Sequence, residues 1–197
     1  MTAWQRRSTR LVHSSRHFEL HEDVLELPSG NTMVYTRFEG PSFATIIPVT
    51  DRGEIVFVQN YRPPLRRGLL ELPGGMVDEG ESPAEAAARE LEEETGFVAG
   101  KLRAVGWFFP SPHLSAQRGH LYLATDLSEG VARPEESESL RTVRLPIATA
   151  YARLAAGKIH QSTAMLGLYV AEPFLRELVT GAPSSPASRR RRSRRAR

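Results

Sequence analysis

Between Gly75 and Phe97 the chain reads GMVDEGESPAEAAARELEEETGF, and no other stretch so constrains what it can fold into. Both ends of one helix are signposted there. Ser82 can act as N-cap, Pro83 suits the first helical position, Glu85 completes an S-x-x-E capping box and Gly96 supplies the stop. The pattern predicts a helix over 82–95, entered from a glycine-containing loop. Within it Glu90, Glu93 and Glu94 stand three and four positions apart, so their side chains leave neighbouring points of one face. Like charges at that spacing repel by roughly a few tenths of a kcal/mol per pair, which calls for a counter-cation or a purpose. Ala87, Ala88 and Leu91 offer small apolar surfaces that could seat the helix on a sheet. Three glutamates on a helix are ordinarily no more than a solvated face; the residues around them decide otherwise.

Reading from Gly75, the spacing is Gly, five residues, Glu81, seven residues, then Arg89-Glu90-Leu91-x-Glu93-Glu94-x-Gly96 and an apolar residue, here Phe97. This resembles the signature box of the Nudix hydrolases, with an aromatic where an aliphatic is usual. The resemblance implies an α+β Nudix fold, an α/β/α sandwich of mixed sheet carrying a loop–helix–loop. It implies that Glu90 and Glu94 are metal ligands, that Glu93 contributes to both ligation and catalysis, and that the Gly74 carbonyl joins them. Arg89 and Glu81 would form an ion pair that orients loop and helix, as outer-shell partners do for metal ligands. The implied reaction is hydrolysis of a nucleoside diphosphate linked to another moiety, X. The chain's 197 residues contain no cysteine, which removes disulfides, zinc-thiolate sites and cysteine nucleophiles together. Oxygen and histidine ligands remain, pointing to a hard cation, Mg2+ or alternatively Mn2+.

Features outside the box are similar to the ADP-ribose pyrophosphatase and nucleotide-sugar hydrolase branch of that family. Val58-Gln59-Asn60-Tyr61-Arg62 followed by Leu70-Glu71-Leu72-Pro73-Gly74-Gly75 looks like the branch's Q-Y-R and E-L-P-A-G. By position Arg62 would approach the substrate's phosphates or terminal ribose, a task for a planar, permanently charged donor. Pro112 stands sixteen positions after Gly96, where the branch has a proline, and His113 and Gln117 lie in the same candidate substrate loop. There the chain departs from the branch. Ser111-Pro112-His113 replaces Ser-Pro-Gly, and Gln117 stands where a glutamate is usual and cannot act as a carboxylate. In Arg133-Pro134-Glu135-Glu136-Ser137-Glu138 the branch's acidic loop places Glu136 as the candidate general base. The resemblance therefore implies hydrolysis of ADP-ribose or a related ADP-sugar to AMP and a sugar phosphate. A GDP- or UDP-sugar hydrolase and a nucleotide-sensing or RNA-binding Nudix protein are the alternatives.

The rest of the chain is organised around this centre. Residues 7–14, 18–27 and 31–38 read as short strands, making 1–42 a small N-terminal β-sheet region. Branch members dimerise through such strands, and Trp4, Phe18 and Tyr35 are candidates for stacking on a base. FATIIPV (43–49) and EIVFVQN (54–60) flank Thr50-Asp51-Arg52-Gly53, the pattern of a hairpin in a buried sheet. Further strands are expected at 100–109, 118–126 and 139–145, and helices at 146–157 and 162–179, the last perturbed at Pro173. The hydrolase domain is thus assigned to 43–180. Residues 181–197 hold seven arginines and no acid; without them the formal charge falls from +3 to −4. That Pro/Ser/Arg tail is too polar to pack and is expected to be solvated, with a sequence-independent nucleic-acid contact as its other use. No apolar run reaches the roughly 20 residues of a membrane span. No apolar segment follows the N-terminal arginines, so the expected location is the cytoplasm.

Overall fold

A computed structural model describes residues 4–133 and 140–180 of the chain. Three antiparallel strands open it: β1 (Gln5–Ser14), β2 (Glu19–Glu26) and β3 (Thr32–Glu39), in that order across the sheet. Two further sheets follow. One has the order β7-β4-β9-β8, built from β4 (Phe43–Pro48), β7 (Gly74–Met76), β8 (Phe97–Phe108) and β9 (Gly119–Glu129). It is mixed, because β4 runs parallel to β9 while the other two pairings are antiparallel. The other is antiparallel, with β5 (Glu54–Arg62) between β10 (Leu140–Pro146) and β6 (Arg67–Glu71).

The expected hairpin between 43–49 and 54–60 does not form as a ladder. β4 and β5 meet only in a single bridge, Val49 to Ile55, and then diverge into different sheets. Both are nearly all apolar, as strands buried on two faces must be, so their sequences hold no alternation that would fix which strand each one pairs with.

Among the described residues, three helices cover the two faces: α1 (Pro83–Thr95), α2 (Ile147–Ala155) and α3 (Ser162–Thr180). Side-chain alternation along β4 and β5 sorts the interior into two cores. Ile46 and Val56 pack with Ala86, Ala87 and Leu91 of α1, whereas Ile47, Ile55 and Phe57 pack with Leu154, Leu168 and Leu175 of α2 and α3. The sandwich with helices on both sides follows from that division. Helix α3 continues through Pro173 as one element. No helix among the described residues is long and apolar enough to cross a membrane.

Candidate active site

Helix α1 starts and stops as its sequence requires. The Ser82 hydroxyl accepts the Glu85 N–H, the Glu85 carboxylate accepts the Ser82 N–H, and Gly96 closes the helix at φ 75°. The buried positions are Ala86, Ala87, Leu91 and Glu94, so Ala86 rather than Ala88 joins Ala87 and Leu91 on the packed face; Ala88 is exposed. Residues 87, 91 and 94 form one stripe at helical spacing, which carries Glu94 inward. Its carboxylate accepts the Gly74 N–H at 2.8 Å. Phe97, just past the stop, is buried in the same core.

The loop before the helix must come very close to other backbone. A Cβ on Gly74, where φ is +153°, would lie 2.2 Å from the Ala44 carbonyl oxygen. A Cβ on Gly75 would lie 2.2 Å from Glu90 Oε1. Only glycines let β7 pair with β4 and let the Glu90 carboxylate rest against the chain.

Arg89 organises the acidic side chains. Its guanidinium donates to both oxygens of Glu81 at 3.0 Å, to Glu90 at 2.7 Å, to Glu93 at 3.0 Å and to the Met76 carbonyl at 2.9 Å. Glu81 also accepts the Asp78 N–H. Arg89 holds the Glu81 carboxyl below its usual range, and Glu81 foremost raises the Arg89 guanidinium. A planar donor with five N–H groups suits this clamp; an ammonium would not span it.

The donors on this surface are carboxylates, with no thiolate anywhere in the chain, so their chemistry suits a hard divalent cation. As a triplet, however, Glu90, Glu93 and Glu94 stand further apart than the one set of acid and histidine ligand atoms within 4.8 Å of one another among the described residues. That set is Glu19, His21 and Glu39, in the N-terminal sheet. His21 Nε2 lies 3.0 Å from Glu19 and 3.9 Å from Glu39, while Arg37 also bonds Glu39.

Other candidate residues have defined places. Arg62 is half-exposed and donates two parallel hydrogen bonds, 2.8 and 2.6 Å, to Glu71, which is 3% exposed. Glu71 lies in the segment that resembled E-L-P-A-G but carried no assigned role; pairing of β5 with β6 brings it opposite Val58 and within reach of Arg62. Pro112 and His113 are exposed in the loop between β8 and β9. The His113 carbonyl accepts the Tyr35 hydroxyl, and Gln117 Nε2 donates to the Pro41 carbonyl at 2.7 Å. Where a carboxylate was expected, an amide ties this loop to the chain entering β4. Trp4 and Phe18 are exposed, and Tyr35 is partly so. Beside the loop, Trp107 and Phe109 meet edge to face at 5.2 Å with Arg118 over both rings. No spacing in the sequence signals that group. Glu136 and the Arg-rich tail lie outside the described residues.

A mixed-sheet sandwich with a glycine loop leading into a capped carboxylate helix defines a Nudix-type site. Residues 40–164 match the NUDIX domain family, to which the chain belongs. It is 37% identical over 117 residues to the ADP-ribose pyrophosphatase of Bacillus subtilis, covering 59% of this chain and 63% of that protein. It is 34% identical over 166 residues to the CMP-5'-(N-acetyl-N-hydroxy-3-aminopropyl)phosphonate hydrolase of Streptomyces rubellomurinus, covering 84% and 80% respectively. A solved structure described as ADP compounds hydrolase superposes with a TM-score of 0.81 at 26% identity, covering 89% of this chain and 96% of that one.

Proposed function

We propose that the protein is a divalent-metal-dependent pyrophosphohydrolase that cleaves ADP-ribose or a related ADP-sugar to AMP and a sugar phosphate. The observation that carries this reading is the Arg89 clamp, which gathers Glu81, Glu90 and Glu93 beside the Gly74–Gly75 loop in a chain similar to an ADP-ribose pyrophosphatase. Glu90, Glu93, Glu94 and the Gly74 carbonyl would hold Mg2+ or Mn2+; such an ion neutralises phosphate charge and acidifies a bound water.

The chain's own residues do the rest. Glu81 fixes Arg89, Arg89 fixes the direction of Glu90 and Glu93, and the Gly74 N–H fixes Glu94, so these carboxylates stand in place before substrate arrives. Arg62, oriented by Glu71, meets the phosphates or the terminal ribose, and Pro112, His113 and Gln117 border the substrate. Glu136 or Glu93 takes the proton of the attacking water. We assign residues 43–180 to the hydrolase domain and 1–42 to a dimer contact, which fits the exposed large apolar side chains among the described residues there: Trp4, Leu11, Val12, Phe18 and Val34. The absence of cysteine fits a cytoplasmic setting.

A second reading has one specific support. The Gln117 amide replaces a charge, and the Streptomyces relative is named for a CMP-linked compound, so another nucleoside diphosphate sugar, GDP- or UDP-linked, is the runner-up. A panel of ADP-ribose, GDP-mannose, UDP-glucose and dGTP with Mg2+ separates them. ADP-ribose is expected to have the highest kcat/KM. A higher value for a GDP- or UDP-sugar establishes the second reading, and one for dGTP overturns both.

A further inference from the structure

On the α2–α3 side of the molecule, the strand β6 and the loop joining α2 to α3 enclose an open cleft of about 170 Å3. Among the described residues its lining is Arg67, Gly68, Leu69, Leu70, Lys158 and His160, which is to say three groups able to carry positive charge and no carboxylate. Three other arginines meet carboxylates: Arg37 has Asp23 and Glu39, Arg62 has Glu71, and Arg89 has three glutamates. The side chains of Arg67, Lys158 and His160 make no hydrogen bond or ion pair among the described residues. Nor does general basicity explain the cluster, since residues 1–180 carry a formal charge of −4.

Local backbone shapes the loop that supplies Lys158 and His160. The loop turns at Gly157, with φ 63°, and the Lys158 N–H is anchored on the Arg153 carbonyl at 2.9 Å. Gln161 then caps α3, accepting the Ala164 N–H at 2.6 Å, so the positive end of that helix dipole begins two residues beyond His160. Leu69 and Leu70 supply no competing counter-charge. A guanidinium, an ammonium and an imidazole carried by residues that line one cleft suit a compact oxyanion with several acceptor oxygens, the chemistry of a phosphate group.

We propose that this cleft is a phosphate-binding site, separate from the carboxylate helix, which takes inorganic phosphate or the phosphate of a small monoester. The test is thermal unfolding of the full chain with Mg2+ present, in rising inorganic phosphate against chloride at matched ionic strength, with glycerol 2-phosphate as a second arm. Phosphate at about tenfold its dissociation constant should raise Tm by roughly 3 °C, and the rise should saturate. A shift with glycerol 2-phosphate as well shows that the open mouth admits an ester; a shift with inorganic phosphate alone assigns the site to the free ion. Lys158→Ala/His160→Ala should lose the shift while keeping wild-type turnover, because neither residue belongs to the catalytic machinery. Lys158→Glu should lose it too. Glu90→Gln should keep it. The proposal is overturned by a shift that is absent in the wild type, that survives both cleft variants, or that disappears only in Glu90→Gln.

Discussion

The N-terminal sheet and the carboxylate helix both contain an arginine locked among acids, but the two networks are made differently. Around Arg89 every partner lies within thirteen residues, on one loop and one helix. Around Arg37 the partners come from three strands: Asp23, only 4% exposed, accepts from Arg37 at 2.6 Å and from the Thr9 hydroxyl at 2.7 Å, and Arg6 adds a longer contact. The first network sits on a buried apolar core. The second stands in a sheet whose strand β1 is exposed along all ten residues and which is tied to the body by few bonds, among them Phe38 N–H to the Leu114 carbonyl and Tyr35 to His113. Packing holds α1 in place, whereas charge pairing does much of the work in the N-terminal sheet.

The largest expected effect tests the packed side of that contrast. Leu91 is fully buried between α1 and the sheet, so Leu91→Ala should cost about 3 to 4 kcal/mol in urea unfolding, with the turnover of the remaining folded protein little changed. A loss below about 1 kcal/mol would remove packing as what seats the helix. Next, Arg37→Met strands the buried Asp23 and should cost about 3 kcal/mol. The loss should appear as protease sensitivity confined to residues 5–39, with the hydrolase core still folded. Global unfolding would show that the two regions are one cooperative unit.

The same network gives a pH signature. Hydrogen bonding to Arg37 foremost holds the Asp23 carboxyl below its usual range, against the opposing effect of burial. Its stabilising contribution is therefore complete above the unfolded value of about 4 and is lost as pH falls through the lower folded value. Unfolding midpoints for the wild type should drop below about pH 4, and Asp23→Asn should flatten that limb while being less stable at pH 7. The smallest effect is at the helix start: Ser82→Ala removes the acceptor for the Glu85 N–H and should cost about 1 kcal/mol.

The contrast also explains what the sequence could say. Helix α1 is legible in the sequence because its caps, its acidic face and its stop are all local, and the Arg89–Glu81 pair is implied by the resemblance that the box carries. The pairing of Glu71 with Arg62 was half legible: both residues stood in recognised segments, but strand register is needed to bring them together. Wholly hidden were the separation of β4 from β5, the Asp23 network and the Trp107–Phe109–Arg118 group. Each depends on which strands become neighbours, and two-sided burial in β4 and β5 erases the alternation that would have announced it. Three consecutive alanines leave the phase of the apolar stripe open, and Ala86, not Ala88, fills the packed place.

The most direct test of the account is the steady-state hydrolysis of ADP-ribose with Mg2+ by wild type and Glu94→Gln. Glutamine keeps the volume and can still accept the Gly74 N–H, so folding and thermal stability should be unchanged while the charge is gone. The wild type should yield AMP and ribose 5-phosphate, and kcat should fall about 100-fold or more in the variant, the equivalent of roughly 3 kcal/mol of transition-state stabilisation. Unchanged turnover in Glu94→Gln, with the protein shown to be folded, would contradict it.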